Sequence, residues 1–411
     1  MNEDQHGSLR ARWRRSASTL LATVAASVGI AVFAVGATTG ATAAGLSAAE
    51  RGSSNTASAA PAVASVAAGY AHTCAVGTDG TLWCWGTNGA GQLGDGSTTN
   101  RTLPVRVGDA TTWASVGAGT SYACAIRTDG TLWCWGANNG SQLGDGTTTN
   151  RSTPTRVGDA TTWASVSAGN RHTCGIRTDR TLWCWGLNRN GQLGTGSALA
   201  NATTPVRVDT ATNWASVTTG YAHTCGTRTD GTLWCWGDSS NGQLGIGTLS
   251  YRTSPAQVGT ATTWSGVAAG YAFTCAVRTD RTLWCFGENG YGQLGITGPH
   301  QTAPVRVGDN STWTRVNAGE DSSCAARADG SLWCWGNNTT GQLGDGTTTH
   351  RYAPTRVGNA TTWTNGSVVG YHNCAVRTDG GLWCWGNNTA GQLGDGTTTQ
   401  RSTPAQVTLP G

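Results

Sequence analysis

The chain has 411 residues, among them 61 glycines, 14 cysteines and 20 tryptophans, with 12% charged residues and a formal charge of +4. All 26 basic residues are arginine, which excludes Schiff-base chemistry and a P-loop lysine. Without Arg10, Arg12, Arg14, Arg15, Glu3 and Asp4 of the leader the charge is +2, a near-neutral balance that argues against nucleic acid as a partner.

Residues 1–18 carry those four arginines, Thr19 to Gly36 is apolar or small throughout, and Ala41-Thr42-Ala43 follows. This pattern predicts a secretory signal peptide over 1–44 with an Ala-Xaa-Ala cleavage site. The apolar run is also long enough for an uncleaved anchor, the one route by which a membrane enters the expectation. Arg14-Arg15 lacks the residues that should follow a twin-arginine pair. Residues 45–61, rich in Ala and Ser, have little to bury and predict a flexible tail. An exported chain is expected to be secreted or held at the extracellular cell surface.

From 62 to 408 one unit returns about every fifty residues, seven times, which is the signature of a propeller or solenoid. In the first copy the strand candidates are Ala64–Ala67, His72–Val76, Leu82–Trp85 and Val105–Val107. Thr78-Asp79-Gly80 joins the second and third as a three-residue hairpin loop, with Gly where positive φ is needed. Counting outward from that loop sets Val76 opposite Leu82, Ala75 opposite Trp83 and Cys74 opposite Cys84, at a distance suited to a disulfide.

The same pairing is expected for Cys124 with Cys134, Cys174 with Cys184, Cys225 with Cys235, Cys275 with Cys285, Cys324 with Cys334 and Cys374 with Cys384, which uses every cysteine. The alternatives are free buried thiols or metal ligands, although zinc needs four clustered donors and each hairpin supplies two. Disulfides agree with export. Arg180 and Arg281 stand where Gly80 does and should be strained there.

Short links join the first strand to the second, the second to the third, and the fourth to the next repeat; only the stretch Gly86–Pro104 is long. Short links join sheet neighbours, so the expected blade is the fourth strand of one repeat followed by the first three of the next. The fold class is therefore all-β: a seven-bladed propeller of four-stranded antiparallel blades, its ring closed by the C-terminal strand joining the first blade. In Leu82-Trp83-Cys84-Trp85 the two tryptophans face one side and Leu and Cys the other, so both blade faces are buried. Thirteen tryptophans and Phe286 fill these positions, and Trp113, Trp163, Trp214, Trp264, Trp313 and Trp363 open later first strands.

His72, His172, His223 and His372 share one repeat position with Tyr122, Phe273 and Ser322, which fits structural hydrogen bonding better than a metal ring. Arg127, Arg177, Arg228, Arg278, Arg327 and Arg377 each precede the hairpin turn and are expected to pair with it.

Strand direction sorts the loops onto two faces. The face with the turns from second to third strand is nearly uniform. The opposite, top face varies: after the glycine of the first turn come Tyr70, Thr120, Asn170, Tyr221, Tyr271, Glu320 and Tyr371. Glu288 and Glu320, the only glutamates beyond the leader and tail, stand on this face with Tyr291 and Asp321 beside them and the divergent connector of His300 following. Glu288, Tyr291, His300, Glu320 and Asp321 are the candidate contact patch for a basic or polar partner. Solvated surface carboxylates are the alternative.

The sequence has no Gly-Xaa-Ser-Xaa-Gly, no His-Glu-Xaa-Xaa-His and no glycine-rich phosphate loop, and nothing spaces Glu288 and Glu320 for glycoside hydrolysis. No catalytic residue, metal or cofactor is expected, and a monomer is expected. The predicted role is non-catalytic binding or scaffolding of a protein or cell-surface polymer by the top face. The alternative is an extracellular propeller hydrolase acting on glycans, although the turn resembles the Asp-box of sialidase-type propellers only partly, since Asp79 and Gly80 are adjacent where that motif has a residue between them.

His72-Thr73, the Thr-Asp-Gly turn, Trp85-Gly86 and Gly91-Gln92-Leu93-Gly94, in seven copies over about 345 residues, resemble the repeat of the regulator of chromosome condensation family. The resemblance implies a seven-bladed β-propeller. The family's eukaryotic founder is a nuclear guanine nucleotide exchange factor that contacts chromatin, which makes exchange a distant third reading. This chain departs from it in the leader, the cystine hairpins and the absence of a basic tail, and no functional residue carries over. A secreted bacterial inhibitor of β-lactamases uses a similar propeller with shorter repeats, which gives a fold-level analogy for an extracellular protein-binding disc.

Overall fold

The computed structural model describes residues 60–309 and 311–410. The expected signal peptide, and all of the expected tail except its last two residues, lie outside them. The described residues form 28 strands and no helix, arranged as seven four-stranded antiparallel sheets. In the first blade the strands are Val63–Ala68, His72–Gly77, Leu82–Gly86 and Arg101–Arg106; in the seventh they are Trp363–Val369, His372–Arg377, Leu382–Gly386 and Arg401–Val407.

Each sheet takes its strands in sequence order from a single repeat. The expected grouping, with a fourth strand borrowed from the repeat before, is wrong, and so is closure by the C-terminal strand. Arg401–Val407 pairs with the third strand of its own blade through Cys384↔Ala405 and Gly386↔Arg401. The long link is long because it visits the next blade and returns. Gly91, Gly94 and Gly96 adopt φ of 81°, 71° and 80°, which turns the chain back on itself. On the way Gln92 C=O accepts a hydrogen bond from Trp135 Nε1 at 3.0 Å, and Gly96 N–H donates to Ser152 C=O at 2.9 Å. The short link after the fourth strand is the one that crosses between blades.

The ring closes by the contacts used at the other junctions, where only Phe286 of the fifth blade lacks the indole donor. The seventh connector offers Gln392 C=O to Trp85 Nε1 at 2.9 Å, and Val63 N–H donates to Gly380 C=O at 2.9 Å. Val63, Val66, Trp83 and Trp85 bury against Leu382, Leu393, Val407 and Leu409 across that seam. Each blade's fourth strand is thereby an outer edge. Its fourth residue is proline in every copy, from Pro104 to Pro404, and the missing N–H blunts the edge against further pairing.

The hairpin register is as expected: Cys74 lies opposite Cys84 and Val76 opposite Leu82. Every expected cystine forms. Cys74 is bonded to Cys84, Cys124 to Cys134, Cys174 to Cys184 and Cys225 to Cys235, each pair with Cα atoms 4.1 Å apart. Cys275 is bonded to Cys285, Cys324 to Cys334 and Cys374 to Cys384 at the same separation of 4.1 Å, so the alternatives of free thiols and metal ligands fall away. The two faces of a blade also divide as expected. Cys74, Val76, Leu82 and Cys84 of the first blade pack against Trp113, Ala125 and Trp135 of the second. In the turns Gly80 has φ of 76°, and Arg180 and Arg281 hold φ of 62°, the left-handed region that a side chain disfavours.

Candidate binding site at the mouth of the channel

Each first strand touches the first strands of both neighbouring blades, so these strands surround the axis. The turns that follow them converge on the top face. They form an open cup of about 430 Å³, solvent included, lined at its rim by Tyr70, Thr120, Asn170, Tyr221, Tyr271, Glu320 and Gly370.

The seventh position differs because the glycine of that turn stands one place later: Trp363 and Cys374 are spaced as Trp113 and Cys124 are, and Val369 holds the place of Gly119. Tyr371 C=O accepts from Asn387 N–H at 2.9 Å, as Ala71 C=O accepts from Thr87 N–H at 2.8 Å. Tyr371 therefore corresponds to Ala71, and Gly370 takes the rim position. Tyr371 instead hydrogen-bonds the Glu320 carboxylate, with its ring edge-on to Tyr70 at 5.9 Å. Across the cup, Tyr221 and Tyr271 lie 4.2 Å apart between centroids and 32° from parallel.

Burial first, and the negative charge of Glu320 second, push the Tyr70 phenol up to about 12. Burial and then the charges of Glu320 and Asp321 raise the Tyr371 phenol beyond its ordinary range. The mouth thus carries negative potential against aromatic walls.

The five residues of the expected patch separate. Glu320 faces the cup. Asp321 is only 9% exposed and Glu288 only 6%, so both are largely withdrawn from surface contact. Tyr291 packs edge-on against His350 at 5.2 Å, next to the outer strand of the sixth blade, and His300 is exposed on the connector. The rim tyrosines Tyr70, Tyr221 and Tyr271 are absent from that patch although they share the repeat position of Glu320. Reading the ring as one convergent position, not as seven separate loops, would have found them.

The histidines tie blades together. His172 Nε2 lies 2.9 Å from Thr224 Oγ1, His223 Nε2 2.9 Å from Thr274 Oγ1, and His372 Nε2 2.8 Å from Thr73 Oγ1. Each threonine hydroxyl already donates to a connector glutamine carbonyl, so the imidazole must donate from Nε2. Ala123 stands where the next blade would offer that hydroxyl to His72. All four rings are fully buried, and burial lowers their pKa to about 4 for His72 and His223 and about 3 for His172 and His372. Among the described residues no group of three or more His, Cys, Asp or Glu could hold a metal ion.

Among the described residues the guanidinium groups of the repeated arginines form no ion pair with the turn aspartates and act on them only through charge; instead they stack on tryptophans. The Arg177 guanidinium carbon lies 5.0 Å from the Trp163 ring centre and 3.9 Å from that of Trp183, and five other blades repeat this sandwich. The first blade has Gly77 and Val63 at the corresponding positions. This joint loss of the arginine and the strand-opening tryptophan is the signal in the sequence. In the turns themselves Asp79 accepts from Thr81 N–H and Oγ1, and Thr81 Oγ1 accepts from Trp83 Nε1, a chain that is repeated closely and marks the lower face as structural. Asp95–Arg101, Asp145–Arg151, Asp345–Arg351 and Asp395–Arg401 ion pairs brace four of the connectors.

The family profile of the regulator of chromosome condensation (RCC1) repeat matches residues 79–126, 129–176, 180–226, 230–277, 281–326, 329–376 and 379–411. A second profile of the same repeat matches seven segments between 63 and 392. A search of curated proteins finds no match. Among solved structures, human WBSCR16 superposes with a TM-score of 0.73 at 21% identity, covering 80% of this chain and 95% of that one. Prp20p from Saccharomyces cerevisiae superposes at 0.71 and 21% identity, covering 81% and 87%. The same yeast RCC1 protein bound to Kap60 gives 0.71 and 21%, covering 79% and 83%. At that identity the likeness is one of fold.

Proposed function

The chain belongs to the regulator of chromosome condensation repeat family, and within it we propose a non-catalytic binding module, working outside the cytosol, that engages a protein or cell-surface polymer through the top face. The observation that carries this reading is the contrast between the faces. Below, the Asp-Thr-Trp turn recurs almost unchanged. Above, side chains that differ from blade to blade converge on one cup at the axis.

Seven cystines favour an oxidising compartment, since such bonds persist outside the cytosol. Glu320 is the single carboxylate in the cup lining, with no second one to pair with it, and the four histidines are buried and neutral. The test is affinity capture from secreted and surface fractions of the producing organism, with the oxidised protein as bait and a Glu320→Arg variant beside it. Material held by the first and lost by the second supports the reading. Equal retention would move binding to another surface, and turnover of a glycan by the pure protein would replace binding with hydrolysis.

A further inference from the structure

We propose that the cup at the channel mouth seats an organic cation: a lysine or arginine side chain presented by a partner, or a free alkylammonium group. The proposal rests on the top-face reading above and names the chemistry the site recognises. Going round the rim by blade, Tyr221 and Tyr271 precede Glu320, then comes Gly370, then Tyr70. The carboxylate thus stands between aromatic residues, and the position next to it carries no side chain.

Gly370 is fixed by close packing: a Cβ there, at φ of +67°, would come within 2.5 Å of Tyr70 C=O. Tyr371, hydrogen-bonded to Glu320 and edge-on to Tyr70 at 5.9 Å, ties the carboxylate to the aromatic wall of the cup. Glu320 is the only charged side chain in the cup lining. Tyr371 holds the carboxylate by a hydrogen bond, which orients it and leaves its charge in place.

A carboxylate beside tyrosine rings in a half-buried cup attracts a cation twice over, by direct charge and by the ring quadrupoles. A neutral sugar would gain stacking and could donate a hydroxyl to the carboxylate, but it brings no opposite charge. A carboxylate-bearing ligand would be repelled. The pair of tyrosines at 4.2 Å supplies a wall for the alkyl stem of such a group.

The test uses the full oxidised chain and defined probes at low salt: the peptide Gly-Gly-Lys-Gly-Gly, its arginine counterpart, a glutamine control, tetramethylammonium, and oligomers of N-acetylglucosamine. Binding is read by ligand-observed NMR titration. The lysine or arginine peptide, tetramethylammonium, or both are expected to bind, with the glutamine peptide at least about tenfold weaker. Glu320→Gln is expected to weaken the cations by a similar factor while leaving the thermal midpoint unchanged. Tyr221→Leu, at a side chain 43% exposed, provides a second variant that does not depend on the core. Peptide binding without tetramethylammonium points to a partner's side chain, and the reverse to a free quaternary ammonium.

Cation affinity unchanged by Glu320→Gln, or no cation binding at all, overturns the proposal. Binding of the neutral oligomers alone also overturns it, yet keeps the top face as the binding surface, so the two readings fail separately.

Discussion

Lowering the pH from 7 to 5 should cost this propeller most of its stability margin, through four histidines. His72, His172, His223 and His372 are buried without charge, with folded-state pKa of about 4, 3, 4 and 3 against 6.5 when exposed. Above 6.5 neither state binds the extra proton and stability is full. As the pH falls below 6.5 the unfolded chain takes up protons that the folded chain refuses, so stability drops until the folded values are reached. At pH 5 each histidine contributes a loss of about 2 kcal/mol, and the four together about 8 kcal/mol. Domains are stable by only about 5–15 kcal/mol, so the effect is large.

The assay is denaturant unfolding with the disulfides intact, at half-unit steps from pH 7.5 to 4, on the parent and on His172→Phe. Phenylalanine already fills this position as Phe273. The variant should lose about 1 kcal/mol at pH 7, for the hydrogen bond to Thr224, and regain about 2 kcal/mol relative to the parent by pH 5. A parent curve that is flat between pH 7 and 5, or a variant with the same slope as the parent, would refute the reasoning.

Ala123→Thr restores the hydroxyl that the other three inter-blade histidines meet and should stabilise the fold by about 1 kcal/mol, measured by thermal unfolding at pH 7.5. Arg180→Gly relieves a left-handed side-chain position and should raise stability by about 0.5–1 kcal/mol, with Arg281→Gly adding to it independently. Arg177→Ala removes a guanidinium held between Trp163 and Trp183 and should cost about 1–2 kcal/mol, whereas Gly77→Ala in the first blade tests no such contact. A loss below about 0.3 kcal/mol would show the sandwich to be incidental.

The hairpins are legible in the sequence because their information is local. A ten-residue cysteine spacing, a three-residue turn and the alternation of Leu82, Trp83, Cys84 and Trp85 fix register, cystine and buried faces together. The same local rule holds from Cys124 and Cys134 through Cys374 and Cys384. Blade membership is not legible in this way, because link length alone does not say where a link goes. Gly86–Pro104 is long yet returns to its own sheet, and its purpose lies in what Gln92 and Leu93 touch in the next blade.

The candidate site is legible only in part, for a related reason. Glu320 is identifiable as a rare residue on a variable face, but convergence at the axis is a property of the closed ring. Sequence neighbourhood groups Tyr291 and His300 with Glu320, although one sits beside His350 and the other on an exposed connector. Counting from the glycine sets Tyr371 on the rim, whereas the seventh glycine stands one place later and is itself the rim residue, four positions before Cys374 as Tyr70 is before Cys74.

The most direct measurement of the central claim is an amide-exchange footprint of the propeller with and without its captured partner. The account predicts slowed exchange in the turns around Tyr70, Tyr221, Tyr271, Glu320 and Gly370, and no change in the Thr-Asp-Gly turns of the opposite face. Protection confined to those lower turns, or to the outer strands, would contradict it.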